Sequence, residues 1–185
     1  MGKIKYGLDL DFLDSLENRV SVDSILADYT SQVKDKKNEE KDLMSKKYFS
    51  ETGTKFAQMI CNEESEHRDR MAETIYEVAE KTGHIFPSVP QRLFEISMHA
   101  LRPGDEWNYR EISQNAIVYE VKECEIYDKL CETAGEEEAK KMPCWNFCRT
   151  LCDEIYSKTG VRVKVSMEKS IADDHRCIVR AENHS

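Results

Sequence analysis

Three cysteines, with an acid and an imidazole just before the last of them, are the candidates for chemistry in this chain: Cys124, Cys144 and Cys177, with Asp174 and His175. Thiols gathered in one place suit either of two chemistries. As thiolates they bind a divalent metal such as zinc, and Cys148 then adds a fourth ligand. Alternatively, one activated thiolate attacks an electrophilic carbon. Spacing does not choose between them, because zinc sites usually present closely paired cysteine knuckles and these four are not paired in that way.

The stretch "PCWNFCRTLC", from Pro143 to Cys152, poses the same question on one helix. Residues four apart drift only about 40° around a helix axis, so Cys144, Cys148 and Cys152 project from one side. Phe147, Leu151 and Ile155 share that sector, and free cysteine packs as a small hydrophobe, so inert core filler stands beside a reactive helix face. The two readings separate by position. Cys144 follows Pro143 in the first turn, where unpaired amides and the helix dipole are expected to lower its pKa, and Cys148 is one turn further in. Cys152, near Ile155, is expected to be a neutral core thiol.

The elements that carry these residues follow from period and breakers. Helical spacing runs through "DLDFLDSLENRV", through Val22, Ile25, Leu26 and Tyr29, and from Thr54 to Lys81, with a further short helix in "FPSVPQRLFEISMHAL" ended by the turn "RPGDE". "KDKKNEEKDLMSKK" is too charged for a core and reads as a solvated helix or loop. After Trp107 the period changes to two. Strands are expected near 115 to 121, 161 to 168 and 175 to 181, with helical patterns at Cys124 to Thr133 and Cys144 to Lys158 between the first two. The fold class is therefore α+β: a helical N-terminal part, 1–104, packed with a cysteine-rich part, 105–185, whose small, mainly antiparallel sheet carries two helices, the whole forming one compact unit.

Totals narrow the partners. Among 185 residues, 36 acids face 27 bases for a net charge of -9, the wrong sign for nucleic acid. No apolar run approaches the roughly 20 residues needed to cross a bilayer. The expected compartment is cytoplasmic, where the seven cysteines stay reduced. A small-molecule substrate or ligand is the expected partner, and homo-oligomer formation is left open. Glycine-rich phosphate loops, G-x-S-x-G and H-E-x-x-H are all absent. Glu64 and His67 have the i, i+3 spacing of bundle metal ligands, but they stand alone in a charged stretch that reads as a solvated face, and His99 reads as a core or helix-end histidine.

From Trp107 to Ala181 the chain resembles the C-terminal half of the L-2-amino-thiazoline-4-carboxylic acid hydrolase-like family. The resemblance rests on "YEVKECEIYDKLCETAGEEEAKKMPC" and "SIADDHRCIVRAE". It implies a helical N-terminal part, a Trp before the first strand (Trp107), a strand ending in Cys124, a second cysteine at Cys144 and a closing strand with Asp174 and Cys177. The implied activity is hydrolysis of a small cyclic C–N substrate. Cys124, Cys144 or Cys177 would attack the ring carbon, or bind a metal that activates water, with His175 or Asp174 handling protons. Two positions depart from the family pattern: Phe147 stands where an acid is common, and Asp173 replaces a glycine. The ending also resembles small-molecule-binding domains of the 4-vinyl reductase type, which implies a binding module in which the same cysteines hold a metal or ligand without turnover.

Overall fold

The computed structural model describes residues 21–66 and 89–183, together with Arg19, Tyr76, Ala79 and Glu80. The helix expected in "DLDFLDSLENRV" lies mostly outside these residues, as do His67 and most of the latter half of the helix expected from Thr54 to Lys81. Up to Leu101 the described elements are helical: α1 (Val22–Val33), α2 (Asn38–Glu66) and α3 (Val89–Leu101). Ser21 opens α1 with a capping box, its hydroxyl accepting the Ser24 N–H while the Ser24 side chain accepts the Ser21 N–H.

Helix α2 begins within the charged stretch that reads as a solvated helix or loop. Its buried positions, Ser45, Tyr48, Phe49, Thr52, Gly53, Phe56, Ala57, Ile60 and Glu63, recur with the helical period, while the lysines and glutamates of its first turns face water. Charge therefore marks one face of this helix. The Thr54 start expected from the apolar residues misses its first sixteen positions, Asn38 to Gly53.

The second half holds β1 (Glu106–Ile112), β2 (Ala116–Glu123), α4 (Glu125–Ala134), the single turn α5 (Glu136–Ala139), α6 (Trp145–Lys158), β3 (Val163–Lys169), the single turn α7 (Ile171–Asp174) and β4 (Cys177–Asn183). The four strands form one antiparallel sheet in the order β1-β2-β4-β3. Three of them match the expected strands within about two residues at most ends. β1 is additional. Like β3 it is an edge strand with one neighbour, and in "EWNYREI" the half-buried face carries Trp107, Tyr109 and Glu111 while Glu106, Asn108, Arg110 and Ile112 are exposed. The fold is α+β, with the helical part ahead of a small sheet.

Helix α6 lies at the centre, against α2 on one side and β3 and β4 on another. The main core runs without a break from Tyr29, Phe49 and Phe94 through Phe147 and Leu151 to Tyr119 and Val179. Across the opposite sheet face Ala116, Val118 and Ile178 form a small cluster. The Glu120 carboxylate accepts Arg110 at 2.7 Å and Arg176 at 3.3 Å. Among the described residues no helix is long and apolar enough to cross a membrane.

Candidate functional site: a buried arginine among cysteines

The turn after α3 builds the site. Arg102 follows the last helical residue, with its N–H bonded to the Met98 carbonyl at 3.1 Å, and Asp105 N–H closes the Pro103-Gly104 turn onto the Arg102 carbonyl at 3.1 Å. An arginine at a helix end ordinarily reaches into water. Here the side chain turns inward and is 2% exposed, paired with an Asp105 side chain that is 0% exposed.

The guanidinium connects three parts of the chain. Its Nη1 donates to the Cys148 Sγ at 2.8 Å, on the second turn of α6, and its Nη2 donates to the Cys124 Sγ at 3.1 Å, at the end of β2. Asp105 supplies the countercharge and also accepts the Glu125 N–H at 2.8 Å. That bond caps α4, whose N-cap residue is Cys124 and makes no side-chain cap of its own. The Arg102 guanidinium also sits 5.8 Å from the centre of the Phe147 ring, within cation–π range. Arg102 Nε is buried with no hydrogen-bond partner, which leaves the cluster one unused donor.

Cys144 and Cys177 complete the group. Both are buried, and each interacts electrostatically with Arg102 and with Cys148. Cys124, Cys144, Cys148 and Cys177 are thus brought together, although Phe147 and not an acid lies beside them. Asp174 and His175 are directed elsewhere. Asp174 accepts the Ser170 N–H at 3.3 Å and pairs with Lys169 at 3.3 Å, while His175 is exposed and caps α7 with a left-handed backbone at φ 55°. Glu64, from the other grouping, pairs with Arg92 at 3.0 Å.

Burial governs the charge states. It opposes the Arg102 cation, but Asp105 and the two sulfurs hold that cation firmly, well above its ordinary range. Burial pushes the Asp105 carboxyl up, and Arg102 and the Glu125 amide pull it back. Burial drives the Cys124 thiol well up against the opposing pull of Arg102. The Cys177 and Cys152 thiols rise to about 12, again chiefly by burial. Cys144 also moves up, which corrects the lowered value expected from its place at the start of a helix. It is the N-cap residue of α6, makes no side-chain cap bond and is sealed from water, so desolvation outweighs the dipole. Cys152 is the neutral core thiol expected.

Alkylation of the native, reduced protein near neutral pH tests these states. Cys61 and Cys131, the half-buried cysteines, are expected to label before Cys124, Cys144, Cys152 and Cys177, which stay protected until the protein is unfolded. Peptide mass mapping reads the order, and early labelling of Cys144 contradicts it.

Among the described residues no three His, Cys, Asp or Glu side chains are placed to hold a metal ion. The arrangement explains this. A guanidinium already occupies the space between Cys124 and Cys148 as donor and cation, and a divalent ion beside it meets repulsion where it needs free sulfur lone pairs. As arranged, the four sulfurs do not fit a zinc centre.

A second buried ionisable group lies on α3. Glu95 accepts Gln91 Nε2 at 3.1 Å and the Tyr109 hydroxyl, and burial raises its pKa to about 7 against the opposing effect of both bonds. A carboxyl raised in the folded state contributes stability that is full below its unfolded value near 4.5 and is lost as pH rises toward 7. Chemical denaturation across that window is expected to show falling stability, and Glu95→Gln is expected to flatten the profile. An unchanged slope in the variant contradicts the assignment.

Arg102 and Asp105 are the site residues that residue spacing missed. Their only trace is an arginine and an aspartate three apart in a stretch that reads as a terminating turn. Compared with family models, with curated proteins and with solved structures, the chain matches none.

Proposed function

We propose that this chain is a cysteine-dependent hydrolase of a small cyclic substrate with a thiazoline-like C–N bond, and that the Arg102 cluster is its reacting centre. One observation carries the reading: a single buried guanidinium bonds sulfurs from two separate elements. Taking an arginine and an aspartate out of water costs several kcal/mol per ion, and a core that needs only volume gains nothing from that cost. The likeness from Trp107 to Ala181 to the thiazoline-carboxylate hydrolase-like family points to the same chemistry.

In this reading the Cys148 sulfur adds to the ring carbon between nitrogen and sulfur, and the thiol proton passes to the ring nitrogen. The tetrahedral carbon then expels the ring nitrogen as an amine, which takes a proton from the exocyclic amino group, so the ring C–N bond breaks and a C=N double bond re-forms at the carbon still bound to Cys148. Water adds to that carbon, the bond to Cys148 breaks, and a proton returns to the sulfur. The ring C–N bond opens at the net expense of one water. Arg102 acts as a positioning residue, holding Cys148 against Cys124 and facing charge that develops on sulfur.

The binding-module reading is favoured by a different observation: burial holds Cys124, Cys144 and Cys177 toward neutral thiols, which suits a ligand held without turnover. The experiment incubates the purified chain with 2-amino-thiazoline-4-carboxylate and related cyclic amidines and follows ring opening by mass spectrometry. Catalytic product formation is expected, retained with a chelator present and reduced at least about 100-fold in Cys148→Ser. Cys61→Ser is the control. Saturable binding with no product establishes the second reading; neither binding nor product removes both.

A further inference from the structure

A cavity of about 360 Å³ lies between the start of α2 and the turn that follows α5, within the range of small-molecule sites. Its ionic lining is unusual for a chain of net charge -9: Lys36, Lys37, Lys41 and Lys141 face two carboxylates, Asp42 and Glu138. Those carboxylates are already neutralised. Glu138 pairs with Lys141 at 2.6 Å and Lys41 at 3.8 Å, and Asp42 pairs at 2.7 Å with Lys46, which is not part of the lining. Lys36 is held at 2.6 Å by Glu40, whereas Lys37 has no ion pair among the described residues.

The inner wall is one polar and one apolar side chain, both fixed by packing. Ser45 and Met142 are buried, and the Ser45 hydroxyl is 2.8 Å from the Tyr29 hydroxyl and 2.7 Å from the Lys41 carbonyl. We propose that this cavity binds a small polyanion carrying at least two negative charges, of the phosphate-ester or polycarboxylate class. Two considerations set that class. The excess ammonium charge is local, so a compact anion gains from it, while an extended polyanion such as nucleic acid meets the acidic remainder of the surface. Lys37 also has no ion pair among the described residues, so its ammonium is left for an anion's oxygen, whereas the Ser45 proton is already given to the Lys41 carbonyl. The site does not depend on the hydrolase reading.

Calorimetric titration of the full chain at low ionic strength, with pyrophosphate and with citrate as probes, tests the proposal. Saturable one-to-one binding of at least one probe is expected, weakened about tenfold or more by Lys37→Glu. It is unchanged in Lys164→Glu, whose exposed side chain on β3 is not part of the lining. Binding of pyrophosphate alone identifies a phosphoryl ligand, and of citrate alone a carboxylate ligand. Lys37→Gln, which adds no repulsion, is expected to weaken binding by a smaller factor. No saturable binding of either probe, or equal weakening by Lys37→Glu and Lys164→Glu, overturns the proposal.

Discussion

Arg102→Met is expected to destabilise the protein by about 3–5 kcal/mol, because it leaves the Asp105 carboxylate buried without its countercharge. Methionine replaces the aliphatic stem but not the guanidinium, so lost volume and the two lost bonds to sulfur add to the electrostatic cost. A second substitution separates the electrostatic part. In Arg102→Met with Asp105→Asn the stranded charge is gone while the Glu125 N–H still has an oxygen acceptor, so much of the loss is expected to be recovered. Urea denaturation of both single variants and the double variant gives the cycle. If the double variant is as unstable as the sum of the singles, the buried ion pair is not the source of the effect. A change in the hydrolytic or binding assay at equal stability would add a direct role for the guanidinium.

The second large effect is expected at Gly53. It lies inside α2, where glycine costs roughly 1 kcal/mol relative to alanine in an exposed helix, so the position needs another reason. The reason is the crossing with α6. A Cβ at Gly53 would stand 2.6 Å from the Phe147 carbonyl oxygen and 3.1 Å from the Leu151 nitrogen, and both are backbone atoms that cannot rotate away. Gly53→Val must push the two helices apart, at a cost of about 1–3 kcal/mol or more. It would also displace α6, and with it Cys148. Thermal unfolding is expected to shift down strongly, and Gly53→Ala by less; a neutral Gly53→Ala would show that the helices separate freely.

The legible parts of the fold are those in which residue type and environment agree. In β3, Val163, Val165 and Met167 alternate with Lys164 and Glu168, and the strand is half-covered on one side, as that pattern requires. In β1 the alternation of Trp107 and Tyr109 with Asn108 and Arg110 is cut short, because the next half-buried position is Glu111 and the apolar Ile112 falls on the exposed face. The start of α2 was hidden by its lysines and glutamates, which report only the wet face. At the site, the convergence of Cys124, Cys144, Cys148 and Cys177 could be anticipated from where each lies on its element. The electrostatics could not. Whether Cys144 feels the helix dipole or its own desolvation depends on what is packed over it, and whether Arg102 reaches water or sulfur depends on the direction taken by a three-residue turn.

Asp105 holds Arg102 with its carboxylate and starts α4 by accepting the Glu125 N–H, and Arg102 in turn holds α6 through Cys148. A boundary between residues 104 and 105 therefore divides an ion pair whose halves are each costly to expose alone. Mechanically the turn is a rivet through three segments, and loosening any one strands a charge in the other two. Heating is accordingly expected to release helices and sheet in one step, with helical and aromatic circular dichroism lost at the same temperature, and neither fragment, 1–104 nor 105–185, should hold its native shape when made alone.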